Sequence, residues 1–341
     1  WKELGPVSSG GRIVDLAVHP QRPQVFWAAA ASGGLWKTEN GGISFVPQFQ
    51  GAYSISIGDI AVAPSNGDVL YVGTGEANNQ RSSYWGNGVY KSIDNGRTWT
   101  LKNAGLAPAP REQPFAWRLA QDPAGLLYLV VARRSERGRI GDADDGALHV
   151  SSDGADHWRK LDLPPGVNGP NGLAIDPREP RRLYLSAWAV ATPGGDTGGG
   201  IFISDDGGGT WRRARGATGH VYDVTIDPRN PDVMYACGFD QAVLRSVDRG
   251  ETWHRVPGFN FKWGHRVVID PADPSSIYVT TFGGGVWHGP AAGDATSTED
   301  VTTGRERLAR LVEANIAGVH AFQVLLARRS GKGDAACYAG E

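Results

Sequence analysis

The 341-residue sequence has little of the features that mark several large classes of protein. It has only two cysteines, Cys237 and Cys337, and their placement leaves the redox compartment open. The formal net charge is −2, so bulk electrostatics give no reason to expect a nucleic-acid partner. No apolar run approaches the ~18 residues of a membrane-spanning helix, and no membrane span is predicted. Glycine, with 48 residues, and tryptophan, with 12, are abundant instead, which suits an all-β protein with many turns.

One eight-residue phrase recurs along the chain and reads Ser/Thr-x-Asp/Asn-x-Gly-x-Ser/Thr-Trp/Phe. Its copies occupy residues 38–45, 92–99, 151–158, 204–211 and 246–253. In the second copy, Asp94 is short enough to accept hydrogen bonds from backbone N–H groups one or two residues on, and Gly96 can adopt a positive φ. The phrase therefore predicts a tight turn between two strands. Ala155 replaces the glycine of the third copy, which predicts a looser turn there.

Longer units surround these turns, each with four short β-branched or aromatic runs. The first run of each unit ends at a proline: Pro20, Pro64, Pro123, Pro177, Pro228 and Pro271. Their spacing, roughly 43 to 59 residues, is close to the ~40–50-residue period of propeller blades, with loop insertions in the longer units. The sequence therefore predicts six four-stranded blades.

The sixth unit lacks a turn phrase, and its fourth strand is predicted to come from the other end of the chain. Residues 1–4 match the residues that follow the turn phrase in other units. We therefore predict an all-β fold, a six-bladed β-propeller over residues 1–290, closed by the N-terminal strand. Such closure removes exposed strand edges. Because the sequence begins at Trp1, inside this strand, we interpret the chain as processed or trimmed.

Residues 291–341 form a C-terminal extension outside the predicted ring. Between about 305 and 329, apolar residues recur at a three-to-four spacing, which predicts an amphipathic helix. The apolar stripe contains Leu308, Leu311, Val312, Ile316, Val319, Phe322 and Leu326. This helix would either pack against its own propeller or dock a partner domain.

The turn phrase resembles the Asp-box, or BNR repeat. The wider unit, for example residues 33–38 and 73–79, resembles bacterial sortilin/Vps10-like and glycosyl-hydrolase-like proteins of the sialidase superfamily. The resemblance covers nearly all of residues 1–290 and implies a propeller whose Asp-boxes lie on the rim, away from the functional face. Because Asp-boxes occur in hydrolases and in non-catalytic receptors, the resemblance leaves the function open.

The opposite face, here called the top face, is where each first strand begins and where the loops between second and third strands emerge. We expect the functional residues there. Aligning the first strands on their prolines places one set of residues, here called the central ring, five positions earlier: Asp15, Asp59, Arg118, Gly172, Asp223 and Arg266. If these point inward, three carboxylates and two guanidiniums meet in the channel. Such charges would either neutralise one another or take part in chemistry.

The predicted pocket combines aromatic walls with charged groups, as a sugar-binding site requires. Its substrate-binding candidates are Arg12, Arg81, Trp117, Arg118, His220, Tyr222, Trp263, His265 and Arg266. The favoured function is a glycoside hydrolase-like enzyme acting on an extracellular poly- or oligosaccharide. Its catalytic candidates are Glu76, Asp59 and Asp223, with Glu76 preferred as the acid, because such hydrolysis needs two carboxylates.

Three alternatives remain open. A sialidase would use Arg12, Arg118 and Arg266 to hold a carboxylate, although the Pro of the family's Arg-Ile-Pro motif is absent at Val14. A polysaccharide lyase would use a divalent metal near His220 and His265, although no cofactor is otherwise predicted. A non-catalytic module would bind a carbohydrate or peptide ligand. For each of these functions a secreted or periplasmic location is expected.

Overall fold

The chain folds into six four-stranded antiparallel sheets in the part that the structure, a computed structural model, describes: residues 2–5, 12–52, 54–76, 86–106, 115–132, 146–239, 241–259, 261, 263–281 and 285–296. This confirms the predicted all-β, six-bladed propeller. Within these ranges no helix is long and apolar enough to cross a membrane. The predicted helix at 305–329 and Cys337 lie outside the described residues.

The first strand of the chain, β1 (Lys2–Gly5), belongs to the last blade. The strands of blades 1 to 3 are β2 (Ile13–Val18), β3 (Phe26–Ala30), β4 (Gly34–Thr38), β5 (Val46–Pro47), β6 (Ile57–Ala63), β7 (Asn66–Thr74), β8 (Val89–Ser92), β9 (Thr100–Leu101), β10 (Phe115–Gln121), β11 (Leu127–Ala132), β12 (Gly146–Ser151) and β13 (Arg159–Leu161). In each of these blades the four strands are neighbours in chain order.

Blade 4 carries an additional hairpin between its second and third strands. The strands of blades 4 to 6 are β14 (Pro170–Ile175), β15 (Leu183–Ala187), β16 (Val190–Thr192) and β17 (Gly195–Thr197) of the hairpin, β18 (Gly200–Ser204), β19 (Arg212–Arg213), β20 (Val221–Ile226), β21 (Met234–Gly238), β22 (Ala242–Ser246), β23 (His254–Arg255), β24 (Gly264–Ile269), β25 (Ser276–Thr281) and β26 (Val286–Pro290). Since it joins the second and third strands, this hairpin stands on the top face.

Blade 6 is completed from both ends of the chain, as predicted. Strand β1 pairs antiparallel with β26, with Lys2 opposite His288 and Glu3 opposite Trp287. The N-terminal strand therefore supplies the outer strand of a sheet whose other three strands come from residues 264–290.

The Asp-box turns are held by one repeated hydrogen-bond pattern. In the second copy, Asp94 accepts bonds from the backbone N–H groups of Arg97 and Thr98, at 3.0 and 2.9 Å, so the bonds reach three and four residues on rather than the expected one or two. The Ser92 hydroxyl accepts the N–H of Gly96 at 2.9 Å, and Gly96 has the expected positive φ of 86°.

The third turn is as tight as the others, contrary to the looser turn that its sequence suggested. Ala155 adopts a φ of 73° and donates its N–H to Ser151 at 2.9 Å. The His157 N–H donates to Asp153 at 2.9 Å. The hydroxyl and carboxylate contacts therefore keep this turn closed even without glycine.

Every inner strand carries a β-bulge at the same level. The register shifts between Ile13 and Asp15, Ile57 and Asp59, Ala116 and Arg118, Pro170 and Gly172, Val221 and Asp223, and Gly264 and Arg266. The second residue of each pair is the one that the proline alignment placed in the central ring. Because a bulge bends its strand and redirects the side chains beside it, the repeated bulge aims one residue of every blade at the channel.

Candidate functional site

The central ring is a network of ion pairs across the channel. Arg118 Nη2 lies 2.6 Å from Asp223 Oδ2, and Arg266 Nε lies 3.1 Å from the same oxygen. Arg266 Nη1 also lies 3.0 Å from Asp15 Oδ1, and Arg118 Nη1 lies 3.8 Å from Asp59 Oδ1. The expected convergence of three carboxylates and two guanidiniums is therefore present, and each arginine contacts two carboxylates.

The raised pKa of Asp59 favours electrical balance in the ring. Burial, together with the charge of Asp15, raises the pKa of Asp59 well above its usual value. Burial also opposes ionisation of Asp15, but Arg266 and a side-chain hydrogen bond with Asp59 outweigh it and lower its pKa. Burial likewise opposes the charge on Arg118, whose pKa is nevertheless raised by Asp223 and the other two carboxyls. With Asp59 neutral, two negative and two positive charges remain.

The blade 4 member of this ring is a glycine, Gly172, and not a charged residue. A Cβ on Gly172 would lie 2.8 Å from Asp223 Oδ1 and 2.7 Å from the Ser186 hydroxyl oxygen. The Ser186 hydroxyl and the Asn171 side-chain amide both donate to the carbonyl of Tyr222, at 3.0 and 3.2 Å. Glycine at position 172 thus leaves room for the carboxylate of the neighbouring blade, and its neighbours hold that blade in register.

Above the ring, the top face of blades 4 to 6 carries a group of half-buried aromatic side chains, here called the aromatic platform. Its members are Trp188, His220, Tyr222, Phe239, Trp263 and His265. The ring of Trp188 lies 4.4 Å from His220 and 4.9 Å from Tyr222, centroid to centroid. Phe239 stacks on Trp263 at 5.8 Å. Flat apolar faces of this kind suit the C–H surface of a sugar ring.

His265 joins the platform to the ring and stays neutral. Burial, together with the neighbouring Arg266, lowers its pKa to about 3, so the imidazole is uncharged near neutral pH. It contacts Tyr222 at 5.4 Å between ring centroids. Between these residues and Arg118 lies a cavity of about 20 Å³, roughly the room of one water molecule. Among the described residues, this small cavity between the platform and the ring has no room for a sugar.

Glu76 lies directly after β7 at the top face and is fully buried. Its Oε2 accepts a hydrogen bond of 2.7 Å from Arg12 Nη2, so blades 1 and 2 are joined by an ion pair. Arg81, predicted from the sequence to bind substrate, lies outside the described residues. The Arg12 guanidinium favours the ionised form of Glu76, whereas its full burial favours the neutral form.

The remaining predicted residues divide into two groups. The side chain of Trp117 lies outside the described residues. His220 and His265, the suggested metal ligands, both lie in the aromatic platform. Among the described residues there is no group of three or more His, Cys, Asp or Glu side chains that could hold a metal ion.

Trp188 and Phe239 were not singled out from the sequence, although they are central members of the aromatic platform. Each directly follows the second strand of its blade, β15 or β21, one position beyond the strand end. The available signal was their equivalent place at the top-face end of two neighbouring blades. The first strands do not reveal it, because both residues follow second strands.

The comparison with known families agrees with the fold. The BNR/Asp-box repeat family matches residues 202–213, which contain the fourth turn phrase. The chain is thus an Asp-box β-propeller. Within that class it is similar in sequence to xyloglucanases. It is 24% identical over 285 residues to an oligoxyloglucan-reducing end-specific xyloglucanase of Emericella nidulans, covering 80% of this chain and 27% of the relative.

A second relative shows the same similarity. A xyloglucanase of Hypocrea jecorina is 26% identical over 221 residues, covering 58% of this chain and 25% of the relative. The chain therefore spans about a quarter of the length of these curated relatives.

The two solved structures share the fold at lower identity. A GH74 enzyme of Niastella koreensis has a TM-score of 0.55 at 20% identity, covering 84% of this chain and 44% of that one. PorZ, a surface component of the type-IX secretion system of Porphyromonas gingivalis, has the same TM-score at 13% identity, covering 86% and 41%. Such different proteins on one fold leave function to the site.

Proposed function

We propose that the top face of this propeller binds a neutral oligosaccharide and that the chain is part of a glycoside hydrolase. The observation that carries the proposal is the aromatic platform, a set of half-buried rings from three blades beside polar groups. Aromatic faces next to a few oriented donors and acceptors are what a sugar-binding site requires. The hairpin β16–β17 begins two residues after Trp188 and borders this surface.

The charge arrangement favours a neutral sugar over an acidic one. Arg12 faces Glu76, Arg118 faces Asp223, and Arg266 faces Asp15. Because these three guanidiniums already contact carboxylates that are themselves largely buried, binding an acidic sugar through them would compete with these ion pairs and leave buried carboxylates unpaired, which is costly. This argues against the sialidase alternative.

The similarity to xyloglucanases indicates which neutral sugar to try first. Two curated relatives carry that activity in their names, and the chain matches about a quarter of each. A xyloglucan-derived oligosaccharide is therefore the first ligand of choice. A secreted or periplasmic location belongs to the same proposal, since a polysaccharide substrate would be met outside the cytoplasm.

Binding is tested by isothermal titration calorimetry with xyloglucan-derived oligosaccharides, sialyllactose serving as the acidic control. We expect the neutral ligand alone to bind. Trp188→Ala should weaken binding at least tenfold, or about 1.4 kcal/mol, because it removes the centre of the platform. Trp211→Ala is the matched control, since Trp211 is a half-buried tryptophan of an Asp-box turn. Preference for sialyllactose or for a peptide would contradict the proposal.

Hydrolysis is tested separately by the release of reducing ends from xyloglucan. If Glu76 is the base or nucleophile, Glu76→Gln should lower the rate by about 10²–10⁴-fold while leaving oligosaccharide binding largely intact. Glu39→Gln is the control, because Glu39 is an exposed glutamate of the Asp-box side. Cleavage that is equally fast in both variants would remove Glu76 from the mechanism, and binding without cleavage would favour the non-catalytic module.

A further inference from the structure

One face of blade 1 carries apolar side chains that are exposed to solvent, and this face points away from blade 2. Leu16, Ala28 and Trp36 lie opposite one another across β2, β3 and β4, and Val18 lies opposite Phe26. Cross-strand partners share a face of the sheet, so these residues form one surface, here called the seam face. Leu16 is 57% exposed, Val18 52% and Trp36 38%.

The other neighbouring blades are joined by apolar cores. Clusters of buried side chains connect blades 1 and 2, 2 and 3, 3 and 4, 4 and 5, and 5 and 6. Among the described residues no such cluster connects blade 6 to blade 1; the contact found there is the ion pair between Arg266 and Asp15 of the central ring.

The facing side of blade 6 is also open. Val268 on β24 is 48% exposed, and beside it the rings of Tyr278 and His288 lie 4.5 Å apart and half-buried. Val268, Tyr278 and His288 are cross-strand partners, so they share one face. The groove between blades 6 and 1 thus has an apolar wall on blade 1 and a mixed wall on blade 6. Contiguous exposed apolar surface of this kind usually marks a contact site.

We propose that the C-terminal segment 305–329 of the same chain occupies this groove with its apolar stripe against the seam face. The stripe includes Leu308, Leu311, Val312 and Ile316, while Arg310 and Glu313 lie on the opposite side of the predicted helix. An amphipathic helix gains most of its stability from packing its apolar side, so it needs a surface such as this one. The seam face in turn needs an apolar partner.

The described chain end is held against the loop that joins blades 5 and 6, through Pro257, and the residues that follow are long enough to pass around blade 6 to the groove. Blade 6 ends with β26 at Pro290, and Gly293 and Asp294 are fixed by hydrogen bonds to Pro290 and Pro257. From Thr296, the intervening residues 297–304 can span at most about 28 Å when extended. A blade of four strands is about 15 Å wide between its outer strands, so the segment can reach the groove beside blade 6. A helix over 305–329 would be about 37 Å long, enough to cover the seam face.

Site-specific cross-linking in the full chain tests the contact directly. A benzophenone amino acid placed at position 36 in place of Trp36 should, after irradiation, join to a peptide within 305–329 of the same molecule, as read by mass spectrometry. Cross-links between two chains would show that a second copy covers the seam face and would overturn the proposal. Cross-links to neither would overturn it as well.

Matched substitutions test whether the contact stabilises the protein. Leu16→Ser should lower the melting temperature by several degrees, whereas Val247→Ser should not, although the two side chains are equally exposed in the propeller, at 57% and 58%. Likewise Leu311→Ala should lower it and Arg310→Ala should not. Deletion of residues 297–341 should abolish the difference between Leu16→Ser and the parent chain. Equal effects of Leu16→Ser and Val247→Ser in the full chain would contradict the proposal.

Discussion

The aspartates of the Asp-box turns and those of the central ring are the same residue in opposite surroundings. Asp94 lies near the surface, and hydrogen bonds from Thr98, both side chain and backbone, lower its pKa to about 2. Asp59 lies among apolar strands and beside Asp15, and its pKa is raised well above the usual value. Hydrogen bonds from backbone N–H groups favour the ionised form of Asp94, whereas burial and a neighbouring carboxylate favour the neutral form of Asp59.

The turn aspartates and the ring aspartates also differ in how regularly they recur from blade to blade. The turn phrase repeats because each turn is held by the same local hydrogen bonds. Its aspartates accept these bonds from backbone N–H groups of their own turns. The residue type in the central ring does not repeat. The same position is Asp, Arg or Gly in different blades, and each residue complements the charge or the size of its neighbour in the channel. The residues of the top face differ most from blade to blade, and the aromatic platform lies there.

Removing one ring carboxylate should have the largest effect on stability. Asp223→Asn removes the carboxylate that contacts both Arg118 and Arg266 and leaves only Asp15 and Asp59 beside them. We expect the free energy of unfolding to fall by about 3–5 kcal/mol, the usual cost of breaking a buried ion pair. Urea denaturation followed by circular dichroism measures it. A loss as small as that of an exposed ion pair would contradict the network.

Removing one buried hydroxyl of an Asp-box should have an intermediate effect. Ser92 is buried, and its hydroxyl accepts the N–H of Gly96 while donating to Asp94 at 2.8 Å. Ser92→Ala leaves a buried N–H without its partner, so we expect a loss of about 1–3 kcal/mol. The same denaturation experiment checks it, with Ser152→Ala as the control because Ser152 is exposed.

Asp59→Asn should change the free energy of unfolding only slightly. The direction of that change, towards equal or greater stability, distinguishes Asp59 from the other ring aspartates. Because the pKa of folded Asp59 is raised above that of the unfolded chain, the native carboxyl costs stability as the pH rises above about 4. Asparagine keeps the shape without that cost. We expect the variant to equal or exceed the parent at pH 7 and to match it near pH 3. Strong destabilisation at pH 7 would show that Asp59 is ionised.

Asp94→Asn should have the smallest effect and the opposite pH dependence. The stabilisation from a lowered carboxyl pKa is present above the unfolded value near 4 and is lost as the pH falls towards about 2. The variant should therefore melt slightly lower than the parent at pH 7 and equally at pH 2. The first turn indicates why the effect is small, since Asn40 accepts the Ser44 N–H at 3.0 Å without a charge. A difference that grows on acidification would contradict this assignment.

Features that recur in every blade could be predicted from the sequence. Contacts between side chains of different blades could not. Turn phrases and prolines were enough for the six blades, the closing strand and the ring positions, because each has a local cause in turn chemistry or strand ends. The pairing of Glu76 with Arg12 joins two blades across 64 positions, and nothing periodic marks it. Trp188 occupies the same place after its strand as Phe239 in the next blade, but its contacts with His220 and Tyr222 depend on how blades 4 and 5 pack.

The proposal that function resides on the top face is tested most directly by a crystal structure of the chain with a xyloglucan-derived oligosaccharide. We predict a sugar ring stacked on Trp188 or Trp263, with hydroxyls near Tyr222 and with the ion pairs of Arg118 and Arg266 unbroken. A sugar bound at the Asp-box side, or one held by Arg118 and Arg266 after separation from Asp223, would contradict this proposal.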